Sequence, residues 1–189
     1  MRATAERKAE TRERILAAAG DLFRAHGVDG VGVDAIMHRA GLTHGGFYAH
    51  FPSKEALVAE VSAASLARAA ARWERISHET DPATALARIV QSYLDPAHVA
   101  AVEHGCVLTT LGPDIARRED ARPAITAAIR RMVDALAHCL PERRRRKRAL
   151  AALSTLVGAV VLARLCDDGQ LAKELLAAAE ETAGKAAAR

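Results

Sequence analysis

The chain has 189 residues, half of them hydrophobic, with a net charge of +4 and a pI near 9.2. That length supports a substantial core in one or two compact domains. The widely spaced Cys106, Cys139 and Cys166 exclude a disulfide framework or a CxxC metal site, and MRATAERKAETRER lacks the apolar region of a signal peptide. The apolar content is mainly Ala and Leu, the strongest helix formers, which points to an all-α fold. Bulk charge does not argue for nucleic acid, because residues 1–60 hold eight Lys/Arg against eight Asp/Glu. The longest uncharged run, Ala149–Ala163, falls short of the roughly 20 residues of a membrane span. It is expected to be a buried helix of a soluble cytoplasmic protein, with no membrane partner.

In chain order, a first helix buries Ile15, Leu16, Ala19, Leu22 and Phe23 on one face and ends at His26-Gly27. Residues Val28–Gly32 connect it to a short helix from Val33 to Ala40, closed by Gly41. Thr43 is the expected N-cap of a third helix, His44–His50, which Pro52 stops. Ser53 caps a fourth helix running to Arg75 or Ile76, with Glu55 near its positive end. Asp81-Pro82 opens a fifth helix, which stops at Asp95-Pro96. Residues Ala97–Gly105 are expected as a loop. A sixth helix, Cys106–Ala116, is interrupted at Gly112-Pro113, and a seventh covers Asp120–Leu140. Pro141 opens an eighth to Cys166, and a ninth runs from the Asp167–Gly169 turn to Ala183, with the final GKAAAR fraying.

Two short helices joined by Gly41-Leu42-Thr43 form a helix-turn-helix, whose second helix enters the major groove of DNA. Thr43 can cap that helix and offer its hydroxyl to a phosphate, and the free N–H groups at the helix start attract anions. Gly45 and Gly46 let the backbone lie close to DNA. Tyr48 and His50 can donate to phosphates, His44 can reach a phosphate or a base edge, and Lys54 adds a charge-assisted phosphate contact. Phe47 and Phe51 are expected to lock the short helix into the core.

The run GVDGVGVDAIMHRAGLTHGGFYAHFPSKEALVAEV resembles the N-terminal domain of the TetR family of bacterial transcriptional regulators, and RERILAAAGDLFRAHG is similar to that family's first helix. The resemblance runs from Thr11 to Val61 without a gap. It implies that Thr43 caps the recognition helix and touches phosphate, that His44, Gly45 and Gly46 face the groove, that Tyr48 and His50 clamp the DNA backbone, and that Lys54 pins it. The family's usual Thr or Ser before the second helix is Gly32 here. Gly caps adequately, but the hydroxyl contact is lost. Specificity then rests on His44, Val33, Ala49 and DNA shape. The family's C-terminal domain is all-helical, dimerises through its last two long helices and encloses a ligand pocket. LVGAVVLARLCDDGQLAKELLAAA resembles that final pair.

Other residues carry weaker signals. His38, His44 and His50 share no helical face, so no metal site is expected. Cys106 opens a helix, where a thiol pKa can fall, making it a candidate redox or electrophile sensor against the plainer reading of a small buried residue. Arg143–Arg148 is expected to be a solvated helix start. Trp73, Tyr93, Cys106 and Met132 are candidate pocket residues, and the few charges on the inner faces of helices five to seven suggest a small apolar effector.

The reading is an all-α protein of about nine helices. Residues 1–54 form a three-helix DNA-binding domain, and residues 55–189 a ligand-sensing and dimerisation domain. No cofactor is expected. The expected partners are a palindromic double-stranded operator and a second copy of the chain, joined through the last two helices. Small residues such as Ala152, Ser154, Gly158 and Ala159 would allow close approach there. A ligand-released repressor is favoured over an activator or a ligand-independent DNA binder. A helical enzyme or small-molecule carrier is the rival of another class, but no HExxH, phosphate loop or paired carboxylates support it.

Overall fold

The computed structural model of the protein describes residues 2–185 and is helical throughout, without a strand among them. Residues 186–189 of the expected frayed tail lie outside the described residues, whereas Gly184 and Lys185 close the last helix.

Helix α1, Arg2–His26, buries Ile15, Ala18, Ala19 and Phe23 and ends at Gly27, whose φ of 72° is the left-handed conformation of a C-terminal cap. Helix α2, Val33–Arg39, buries Ile36 and Met37 and is closed by Gly41 at φ 68°. A side chain at Gly41 would be strained by that backbone and would lie 2.9 Å from Arg14 Nη2. Arg14 itself donates to the Ala40 carbonyl at 2.5 Å, tying α1 to the end of α2.

The segment His44–Ala49 is a 3₁₀ helix and not the expected α-helix. Adjacent glycines at 45 and 46 carry the largest propensity penalty short of proline, and short runs favour the tighter i+3 pattern. Helix α3 extends three residues beyond expectation, Lys54–Glu79, with Ser53 Oγ accepting from the Ala56 N–H at 3.1 Å. Helix α4, Pro82–Leu94, starts where Asp81 accepts from the Thr84 N–H at 3.1 Å; the Thr84 side chain first, and this N–H second, hold the Asp81 carboxyl below its ordinary range.

The expected loop 97–105 instead contains α5, Pro96–Ala100, and a 3₁₀ turn, Val102–His104. Asp95-Pro96 repeats the device of Asp81-Pro82: its carboxylate accepts from the Ala97 N–H at 2.7 Å, so the pair restarts a helix as well as ending one. The break at Gly112-Pro113 divides the expected sixth helix into α6, Val107–Thr110, and α7, Gly112–Ala116. Helix α8 spans Arg122–His138. Helix α9, Arg145–Leu165, begins four residues after Pro141, because Arg144 sits at φ 59° and cannot be helical. Helix α10 is Gly169–Lys185. The described residues thus hold ten α-helices, where about nine were expected.

Helix α3 runs from the N-terminal core, where it contributes Leu57, Val58 and Val61, into the second unit, where α8 is its main neighbour. Arg131 clamps Glu74 across α8 and α3 with two hydrogen bonds, 2.7 and 2.6 Å, which hold the Glu74 carboxyl below its usual range. Cys139 is buried, its thiol pushed up to about 11 by desolvation. Helix α9 packs on α8 and α10. It is long and apolar enough to cross a membrane by length and composition, but its inner face, including Leu153, Leu156 and Val160, is buried within the subunit. Ala152 and Ala159 belong to that inner face and cannot serve in a subunit contact as expected. The outward row is Leu150, Ser154, Gly158, Leu162 and Leu165.

Candidate functional site

The recognition segment is held from beneath and left bare above. Phe47 and Phe51 are essentially inaccessible and stack at 5.8 Å between ring centroids. Arg12 lies over the Phe51 ring, 4.5 Å from its centroid, while pairing with Glu60 of α3. These anchors present Tyr48, 64% exposed, outward, with its ring edge-on to Phe47. Thr43 occupies the N-cap position, yet its side chain makes no capping hydrogen bond. The expected cap is therefore positional only, and the hydroxyl is available to another partner.

His44 is not a free donor. Its Nδ1 pairs with Asp34 of α2, which fixes the ring and leaves Nε2 to face outward chemistry. His50 is half-buried, with Nδ1 enclosed and unpartnered. Lys54 is half-buried at the start of α3 and makes no ion pair among the described residues. Gly32 is the N-cap of α2 and contributes no side-chain bond; Val33 is half-buried and Ala49 exposed. A Cβ at Gly32 or Gly45 would meet nothing within 4 Å, so packing inside the subunit does not explain either glycine.

Two short elements at helix-turn-helix spacing, the second carrying Gly45 and Gly46 near its start, have the arrangement of a helix-turn-helix. Residues 15–61 match the bacterial regulatory proteins of the tetR family. The N-terminal unit of this chain is thus similar to the N-terminal domain of that family. Over 53 residues the chain is 45% identical to TtgW of Pseudomonas putida, described as an uncharacterized HTH-type transcriptional regulator; the match spans 28% of this chain and 40% of that protein. The TetR-type fold extends over nearly the whole chain. The reduced form of E. coli NemR superposes with a TM-score of 0.77 at 22% identity, covering 91% of this chain and 96% of that one. A TetR-family regulator from Cytophaga hutchinsonii does so with a TM-score of 0.80 at 16% identity, covering 97% and 98%. The matched segment is thus similar to the helix-turn-helix DNA-binding domain of that family's transcriptional regulators.

Behind the TetR-type reading head, the second unit contains a cavity of about 340 Å³, within the range of small-molecule sites. Trp73, Tyr93, Cys106 and Met132, four residues from four parts of the chain, all line it. The expected apolar character does not hold, because Arg24, Arg68 and Arg72 line it too. Helical periodicity marks Arg68 and Arg72 simply as solvated positions, and Arg24 belongs to α1, so sequence offered no sign that the three converge.

The wall opposite α3 is held by two half-buried polar side chains. His98 Nδ1 donates to the Tyr93 carbonyl at 2.5 Å, and Nε2 accepts from the Cys106 N–H at 3.2 Å, an arrangement only the neutral ring can make. Burial, then the neighbouring Arg164 and Arg72, hold its pKa below the ordinary value. Arg164 of α9 donates to the Val99 and His98 carbonyls at 3.0 Å each and to Thr109 Oγ1 at 2.7 Å. Gly105 leaves room for it: a Cβ there would lie 2.4 Å from Arg164 Nη2. Cys106 stands at the N-cap of α6, but that helix has a single turn. Among the described residues no group of three or more His, Cys, Asp or Glu could hold a metal.

Proposed function

We propose that two copies of this chain form a cytoplasmic repressor that holds a palindromic operator, one recognition segment in each half-site, and releases it when a small molecule fills the cavity. Residues 1–54 act as the reading unit and residues 55–189 as the sensing and dimerisation unit. The observation that carries the reading is the recognition segment itself. Phe47 and Phe51 fix it rigidly to the core, while Tyr48 and Lys54 stand ready for phosphates and Gly45 clears the approach.

The subunit contact is supported by the outward row of α9. Leu150, Leu162 and Leu165 are 47, 49 and 76% exposed, and Ser154 and Gly158 between them permit close helix approach. Leu171 of α10 extends the patch. Two-fold pairing of this face would set the reading heads at a fixed spacing, which a bound ligand can disturb only as far as it prefers another spacing.

The test is fluorescence anisotropy on DNA from upstream of the protein's own gene, at two salt concentrations with random DNA as competitor. Binding that survives competitor and weakens roughly tenfold or more in Tyr48→Ala and Lys54→Ala supports the reading. Equal binding to random DNA overturns sequence-specific control. Failure on this DNA and in a genome-wide selection overturns DNA binding altogether.

A further inference from the structure

The cavity behind the reading head has an electrical asymmetry that identifies the class of molecule it takes. Its apolar lining includes Leu66, Trp73 and Met132, all nearly inaccessible to solvent. Arg24 and the exposed Arg68 and Arg72 line it as well, and no Asp or Glu does. Arg24 is neutralised by Asp21 at 3.0 Å. Arg68 and Arg72, one turn apart on α3, form no ion pair among the described residues, so both charges are open to a ligand at the mouth, although Arg68 also borders a neighbouring cavity lined by Glu13 and Asp21.

A second observation is independent of the arginines. The Tyr93 side chain lines the cavity and is only 6% exposed, yet its hydroxyl has no hydrogen-bond partner. A buried hydroxyl without a partner is costly and rarely tolerated unless something else satisfies it. Burial first, and the adjacent Cys106 thiol second, keep the phenol protonated. It can therefore donate to an acceptor brought by a ligand. His98 cannot do so, since both its ring nitrogens are engaged.

We propose, resting on the effector-release reading, that the cavity binds an organic carboxylate with an aliphatic or aromatic body. The body lies against Leu66, Trp73 and Met132. The carboxylate faces Arg68 and Arg72, and one of its oxygens is the acceptor for the Tyr93 hydroxyl. A neutral apolar compound would leave the guanidinium pair and the phenol unanswered, and a cation would be repelled by the arginines. Charge-assisted pairing with guanidinium is the strong, directional kind of contact that separates an acid from its isosteric amide.

Trp73 is the sole tryptophan and lines the cavity, so its emission reports occupancy directly. The experiment titrates the full-length chain with octanoate and 4-phenylbutyrate, and with octanamide and octylamine as neutral and cationic controls. The expected result is a saturable change for both acids, at least about tenfold tighter than octanamide, and no saturable change with octylamine. Arg68→Ala/Arg72→Ala, at exposed positions where the fold should tolerate them, should remove most of the acid preference and leave octanamide binding unchanged. Tyr93→Phe should weaken the acids, with circular dichroism confirming an intact fold.

Equal affinity for amide and acid overturns the proposal, as do preference for the amine, absence of saturable binding by either acid, or an arginine double variant that keeps its preference. Operator release is measured separately by anisotropy. Acid binding without release would count against the ligand-released repressor and leave the carboxylate site standing.

Discussion

Arg24, near the end of the first helix, donates its Nε–H to the main-chain carbonyl of Glu103, 79 residues further along the chain. Asp21 pairs with the same guanidinium at 3.0 Å, and the Arg24 side chain is almost wholly enclosed. The contact joins the last turn of a reading-head helix to the 3₁₀ turn that borders the cavity, and desolvation lowers the Arg24 pKa without threatening its charge. Arg24→Ala should therefore loosen both ends together. Hydrogen exchange should quicken in the last turn of α1 and in residues 102–104 alike, with a stability loss of about 1 kcal/mol. Unchanged protection at 102–104 would mean that the two units are not linked here.

The close approach of Gly105 to Arg164 gives a test of the opposite wall. An alanine Cβ would lie 2.4 Å from Nη2 and 3.1 Å from the Ala101 carbonyl. The guanidinium tip can move only by giving up bonds to His98, Val99 or Thr109. Gly105→Ala should cost about 1–3 kcal/mol in urea unfolding. In an Arg164→Ala background the same change should cost clearly less, because the group it strikes is gone. Additive losses would show that the backbone at Ala101, rather than Arg164, dictates glycine.

His98 predicts a pH dependence. Its folded pKa lies below the ordinary value, so the unfolded chain takes up the proton first as pH falls. The native state is then favoured fully above about pH 6.5 and loses stability as pH drops below that value toward the folded pKa. Protonation would also break the bond from the Cys106 N–H. His98→Gln should lower stability at pH 7.5 but flatten the slope between pH 7.5 and 5.5, measured by urea midpoints. An unchanged slope would assign the acid limb to other groups.

Beside the recognition segment, Asp34 pairs with His44 and so places a carboxylate next to the surface proposed to face DNA. A carboxylate there repels phosphate and so suppresses binding to unrelated sequences. Asp34→Ala should raise affinity for random DNA by a few-fold and steepen the salt dependence, while narrowing the gap between operator and random DNA. Anisotropy on both DNAs decides it; a loss of affinity for both would mean that His44 orientation matters more than charge.

These tests fall where the sequence was least explicit. The reading head was legible because Phe47, Phe51, Gly41 and Ser53 act through local rules: periodicity, a left-handed cap and an N-cap. Even there, Gly45-Gly46 turned an expected α-helix into a 3₁₀ segment, and Thr43 took the cap position without the cap bond. The Asp95-Pro96 pair signalled a helix end and concealed a helix start. The cavity's polarity was not legible, since Arg68 and Arg72 carry the same periodic signature whether they face solvent or a ligand. Only the packing of the chain around residues 98–106 places them at a mouth. Ala152 and Ala159 were misjudged for a related reason. Small residues on a helix mark close approach, but not whether the neighbour is α8 or a second subunit.

The outward row of α9 separates those two neighbours. Leu162 is half-exposed in the single chain, flanked by Gly158 and Leu165 on the same face, and is not part of the buried core. Leu162→Glu should leave the helical circular dichroism signal intact. If the face is a two-fold contact, the substitution places two carboxylates against each other in an apolar seam, a cost of several kcal/mol. Sedimentation should then shift from dimer to monomer, and operator affinity should fall by about a hundredfold or more, because each half-site would be held alone. A dimer that persists in Leu162→Glu with full operator affinity would move the contact elsewhere, whereas a wild-type chain that sediments as a monomer at micromolar concentration would remove it.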